Sequence, residues 1–115
     1  MSKATRIVYT KSFENQANDL NNHLSYYTNT DATDKVVAII ERFESKVKVM
    51  PLSCPESQIL TEYGVYGFRE YINDGVRIFY RIDDRSNPCV VEAHIMLSQK
   101  QDVPSALIDY CLRHR

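Results

Sequence analysis

Hydrophobic and polar positions change their period twice along this chain. Thr5–Tyr9 (TRIVY) is a short β-branched run and predicts a first strand. From Phe13 the period turns helical. Phe13, Ala17, Leu20, Leu24 and Tyr27 recur every three or four residues, while Asn15, Gln16, Asn18, Asp19 and Asn22 make the opposite side polar. Thr28 to Asp34, rich in Thr, Asn and Asp, predicts a turn. A second amphipathic stripe follows at Val36, Ile39, Ile40, Phe43, Val47 and Met50, with Asp31 or Thr33 placed to cap it. Two helices joined by a short loop make an antiparallel hairpin. Pro51 stops the second helix, because a proline restricts the residue before it to extended backbone, and Pro51 to Glu62 is expected to be an irregular connection.

The period then falls to two, and Tyr66 to Leu97 predicts three consecutive antiparallel strands. Asp74-Gly75 marks the first turn, and the register depends on its length. A two-residue turn sets Ile72 opposite Arg77 and mixes apolar with charged residues on both faces. A three-residue loop, Asn73-Asp74-Gly75 with Gly75 left-handed, pairs Ile72 with Val76 and Phe68 with Tyr80 instead. One face then reads Phe68, Ile72, Val76, Ile78 and Tyr80, broken only by Glu70; the other reads Arg69, Tyr71, Arg77, Phe79 and Arg81. Burial of one face specifies register, which favours the longer loop. On the last strand, Val91, Ala93, Ile95 and Leu97 are expected in the core, and Glu92, His94 and Met96 beside the arginines. Asp102-Val103-Pro104 starts a short final helix, with Arg113 and Arg115 at its C-terminal end. The order is β-α-α-β-β-β-α, an α+β class with strands and helices segregated.

Composition narrows the functional classes. A chain of 115 residues is one domain, residues 1–115, with enough length for a single core. Its net charge of -1 lacks the basic excess of a dedicated nucleic-acid binder, so no direct sequence-specific nucleic-acid binding is expected. Three cysteines without CxxC spacing argue against a disulfide framework and for a reducing, cytoplasmic compartment. The histidines do not join them at metal-ligand spacings, and neither a metal nor a cofactor is expected. No apolar run approaches the roughly 20 residues of a membrane span, and the N-terminus lacks the apolar core of a signal peptide.

The helical hairpin, the connection ending in Glu62-Tyr63-Gly64, the segment GFREYINDGVRIFYRI and the closing IMLSQKQDV resemble the RelE/ParE toxin superfamily of bacterial type II toxin–antitoxin modules. The resemblance spans residues from about Ile7 to Asp102. It implies a twisted antiparallel sheet packed on the N-terminal helical hairpin. It also implies one of two activities: RelE-like messenger RNA cleavage on the ribosome, or ParE-like inhibition of DNA gyrase without chemistry of the toxin's own.

A ribonuclease using the 2′-hydroxyl needs a base, an acid and cations on the phosphate. RelE-like enzymes draw these from middle-strand lysines and arginines, an arginine after the last strand and a tyrosine near the C-terminus. Matched here, the middle strands offer Arg69, Tyr71 and Arg77, with two lysine-type positions changed to Arg69 and Tyr71. The last strand is followed by Ser98-Gln99-Lys100-Gln101, and Tyr110 falls in phase with the stripe of the final helix. The set is incomplete, so the resemblance implies a ParE-like gyrase inhibitor rather than an enzyme. The alternatives are a RelE-like endonuclease and a silenced toxin that only binds its antitoxin. The implied partners are DNA gyrase and a cognate antitoxin encoded beside the toxin gene, whose acidic amphipathic segment folds on binding. Candidate contact residues are Arg69, Tyr71, Arg77, Phe79, Arg81, Lys100 and Arg113, with Gln99 and Arg115 beside them. The same arginines equally suit a solvated face paired with Glu70, Glu92 or Asp83, and Tyr71 and Phe79 equally suit packing.

Overall fold

A computed structural model describes residues 5–28, 33–83, 85 and 89–98. The elements are β1 (Thr5–Tyr9), α1 (Lys11–Thr28), α2 (Thr33–Val49), α3 (Gln58–Glu62), β2 (Arg69–Asn73), β3 (Val76–Asp83) and β4 (Cys89–Ser98). The expected α+β class holds. The expected final helix and the side chains of Leu24 and Tyr27 lie outside the described residues, as does Asp31.

β1 runs straight into α1 through Thr10. The Thr10 Oγ1 accepts from the backbone N–H of Phe13 at 3.1 Å, as an N-cap does, and donates to the carbonyl of His94 at 3.2 Å. Phe13 and Leu20 of α1, and Val36, Ile39, Phe43 and Val47 of α2, are buried on the sheet. Met50 departs from the expected stripe: α2 ends at Val49, one residue before the pre-proline position, and Met50 is exposed. The connection, expected to be irregular, contains a short helix, α3. Ser57 caps α3 by accepting from Leu60 N–H at 3.2 Å. At its other end Gly64, at φ +79°, donates to the Thr61 carbonyl at 2.9 Å, and Val65 donates to the Leu60 carbonyl at 2.9 Å. That pair of bonds, with Leu60 and Val65 packed together, is a Schellman close.

The sheet order is β1-β4-β3-β2. β2–β3 and β3–β4 are antiparallel, but β1 pairs with β4 in parallel, Thr5 opposite Cys89 through Tyr9 opposite Ala93. The sheet is therefore mixed rather than wholly antiparallel. A parallel pair needs a long crossover, and the chain between β1 and β4 supplies one. β4 outruns β1, and α1 closes its exposed edge: Gln16 Oε1 accepts from Met96 N–H at 2.8 Å.

The β2–β3 register corrects the sequence reading. Asn73 pairs with Val76, Ile72 with Arg77 and Tyr71 with Ile78. Asp74 and Gly75 both have positive φ, 52° and 76°, which makes the two-residue type I′ turn whose twist matches the strands. A three-residue loop follows only where one face of the sheet is buried and the other wet. Both faces are covered instead. Tyr71, Val76, Ile78, Tyr80, Val91, Ala93 and Met96 pack with the helices. Phe68, Phe79, Ile95 and Leu97 pack with Leu60 and Val65 of the α3 segment. With two apolar sides, alternation no longer selects a register, and turn chemistry decides.

The β3–β4 pairing carries a second irregularity. Phe79 opposes Ile95 while Tyr80 opposes Ala93, so His94 is an extra residue, a β-bulge. The bulge changes the phase of β4. It sends Met96 into the helix-facing core and Ile95 and Leu97 to the α3 side, against the expected alternation.

Candidate functional site

The candidate residues of the middle strands do not form one face. Arg69 and Tyr71 lie on the helix side of the sheet; Arg77, Phe79 and Arg81 lie on the α3 side. A register shifted by one residue accounts for the difference, because side chains alternate with period two.

Arg69 works as a clamp on the connection. Its Nη1 donates to the carbonyl oxygens of Cys54 and, at 3.4 Å, Leu52. Tyr80 donates its hydroxyl to the Pro51 carbonyl at 2.8 Å. Burial, then hydrogen bonding with Cys54, pushes the Tyr80 hydroxyl well above the ordinary tyrosine range. Phe43 of α2 meets Tyr71 and Tyr80 edge-on, each with ring centroids 5.4 Å apart. Tyr71 is buried, and its hydroxyl accepts from Asn73 Nδ2 at 2.7 Å.

On the α3 side, Phe79 is fully buried between Ile95 and Leu97. Arg77 is largely enclosed as well. Its Nη1 lies 3.6 Å from Glu70 Oε1, and its Nε is buried without a hydrogen-bond partner among the described residues. Ser57, the α3 cap, donates to the same Glu70 oxygen at 3.3 Å. In the sequence Glu70 is both a break in an apolar face and one of the carboxylates that suit pairing with the strand arginines, and the structure pairs it with Arg77. A carboxylate interrupting such a run requires a buried cation or donors, and that was the available signal for its pairing.

Of Arg69, Arg77 and Arg81 on β2 and β3, Arg81 is the exposed one. Its guanidinium lies over the Phe68 ring, 5.2 Å from the centroid. Phe68 also meets the His94 ring edge-on at 5.2 Å, and His94 Nε2 is 3.5 Å from Glu92 Oε1. Gly67, at φ +86°, lies beside this guanidinium in the left-handed backbone region that favours glycine. Lys100 and Arg113, with Gln99 and Arg115, lie outside the described residues.

A third feature lies at the helical hairpin. A cleft of about 360 Å³ is lined by Tyr9, Phe13, Glu14, Ala17, Asn18 and Ile40. Its base is fixed by Tyr9, whose hydroxyl donates to Glu44 Oε1. Burial and the Glu44 carboxylate together push the Tyr9 hydroxyl far above the usual range. No helix among the described residues is long and apolar enough to cross a membrane.

Among the described residues these side chains brace the sheet and the connection, and they do not gather an acid, a base and several cations around one point. No curated protein matches the chain significantly. The family model described as the ParE toxin of type II toxin-antitoxin system, parDE, matches residues 7–92, from β1 into β4, and the chain belongs to that family.

Proposed function

We propose that this protein is a ParE-like toxin that inhibits DNA gyrase by binding it and is neutralised by a cognate antitoxin. The observation that carries this reading is the division of the cations. Arg69 braces backbone carbonyls on one side of the sheet, while Arg77 on the other is enclosed with Glu70. A ribonuclease centre of the RelE kind draws its phosphate-binding cations from these strands, and here two of the three are already occupied. The ParE description of the matching family supports the same choice. No cofactor enters the reading, since inhibition by docking requires none.

A gyrase supercoiling reaction run beside a coupled translation reaction separates this from messenger RNA cleavage. The expected outcome is lost supercoiling with intact message. Supercoiling that persists at a large molar excess of toxin overturns the gyrase reading, and message cut only in translating extract replaces it with the endonuclease reading. Neither effect leaves a silenced toxin.

A further inference from the structure

We propose that the end of α2 and the turn after it, Lys46 to Leu52, dock an acidic, amphipathic segment of the cognate antitoxin; this rests on the antitoxin part of the functional reading. Three large apolar side chains stand in water here within four residues: Val49 is 74 % exposed, Met50 61 % and Leu52 67 %. The periodicity of α2 directs Met50 toward the core, yet the helix ends before it, and nothing among the described residues covers the three.

Their exposure is not a consequence of a loose backbone. Met50 N–H donates to the Lys46 carbonyl at 2.9 Å and Ser53 N–H to the Met50 carbonyl at 3.0 Å. The Pro51, Leu52 and Cys54 carbonyls are held by Tyr80 and Arg69 from the sheet, and Cys54 is buried as an anchor. An apolar surface fixed in advance loses little conformational freedom when a partner arrives. A methionine within it adapts to the partner's shape.

Charge selects the partner. Lys46 and Lys48 flank the apolar residues, and no Asp or Glu occurs from Ser45 to Pro55. The carboxylate before that run, Glu44, receives the Tyr9 hydroxyl. The lysines also suit the negative end of the α2 dipole, but the dipole gives no reason for Val49, Met50 and Leu52. A segment with carboxylates beside apolar anchors satisfies both halves of the patch, and a disordered acidic segment gains its order from such a contact. An anionic lipid surface or a second copy of the chain is the competing occupant.

The test uses the full chain and the purified product of the adjacent reading frame. Titration calorimetry compares wild type with the pair Met50→Glu and Leu52→Glu and with the pair Lys46→Glu and Lys48→Glu. All four sites are exposed, so both variants are expected to unfold cooperatively, the apolar pair near the wild-type midpoint and the charge pair somewhat below it. The charge pair reverses charge at the negative end of the α2 dipole and removes the Lys46 contact with the Tyr71 ring at 5.9 Å. Circular dichroism melts confirm that folded protein is compared. The apolar pair is expected to weaken binding by about thirtyfold or more, and the charge pair by about tenfold with a shallower salt dependence. Variants that bind as tightly as wild type overturn the docking surface and leave the antitoxin reading standing. Absence of binding by wild type overturns both. Wild-type dimerisation that the apolar pair abolishes, or wild-type binding to phosphatidylglycerol vesicles that the charge pair abolishes, assigns the patch to the competing occupant and overturns the proposal.

Discussion

Glu70 and Arg77 face each other on the α3 side of the sheet, 3.6 Å apart, with only 14 % and 18 % of their side chains exposed. They stand diagonally on neighbouring strands: Glu70 is directly opposite Phe79, two residues beyond Arg77. The pair joins β2, β3 and, through Ser57, the α3 cap. Its enclosure places Arg77 among the structural residues of this face.

Removing one partner strands the other. Glu70→Ala leaves a guanidinium enclosed with its Nε already unpaired among the described residues, and is expected to cost about 3 kcal/mol, the lower end for breaking a buried pair because both groups keep some solvent. The double replacement Glu70→Leu with Arg77→Met is expected to cost less than Glu70→Ala alone. Urea unfolding of the single and double variants measures this; additive losses would contradict it.

The division of the arginines predicts divided phenotypes. Arg81→Ala removes an exposed side chain and a stacking contact on Phe68, with an expected stability loss below about 1 kcal/mol. Arg69→Ala frees the Leu52 and Cys54 carbonyls and is expected to lower stability by about 2 kcal/mol. If the α3 side of the sheet meets a target, growth arrest on expression should weaken in Arg81→Ala at unchanged abundance. In Arg69→Ala and Arg77→Ala, by contrast, any loss should follow the amount of folded protein. Growth curves read beside soluble yield decide it.

The Asp74-Gly75 turn carries its own test. Gly75 sits at φ 76°, so Gly75→Ala is expected to destabilise by about 1 kcal/mol or more. Asp74→Asn keeps the turn's preference for left-handed residues and gives up only an exposed contact with Lys35 at 3.8 Å, so little change is expected. Thermal melts of these two variants beside Asp74→Val distinguish the turns. A β-branched residue is expected to destabilise the two-residue turn, where Asp74 has φ 52°, and not a three-residue loop, in which Asp74 would have no need of positive φ.

Tyr9 and Tyr80 set an alkaline limit. Both hydroxyls are raised above the ordinary value of 10.0 by burial, aided by Glu44 at Tyr9 and by Cys54 at Tyr80. The folded state therefore holds these protons more tightly than the unfolded chain. The stability they contribute is complete below pH 10.0 and falls as pH rises above it, where the unfolded tyrosines ionise first. Urea midpoints followed from pH 8 to 11 are expected to drop above pH 10, less steeply in Tyr9→Phe and Tyr80→Phe than in wild type. Parallel curves for all three would contradict the assignment.

The sequence by itself determined what depends on local period and local chemistry. The stripes at Phe13 and Leu20 and at Val36, Ile39, Phe43 and Val47 are buried where a helical spacing puts them, because residues three and four apart share one side of a helix whatever lies opposite. The stop before Pro51 and the strands from Arg69 to Ser98 followed for the same reason, as did the resemblance that led to the family. Tertiary structure decided everything that depends on which surfaces are covered. The five-residue α3, too short to show a period, packs under the sheet and turns its second face apolar. That removed the premise from which register had been judged, returned the hairpin to its type I′ turn, and put Arg69 and Arg77 on opposite sides. The His94 bulge, an extra residue with no local signature, reassigned β4 in the same way. Positions on a strand are legible from sequence; the side of the sheet they occupy depends on a partner strand and a covering layer that come from elsewhere in the chain.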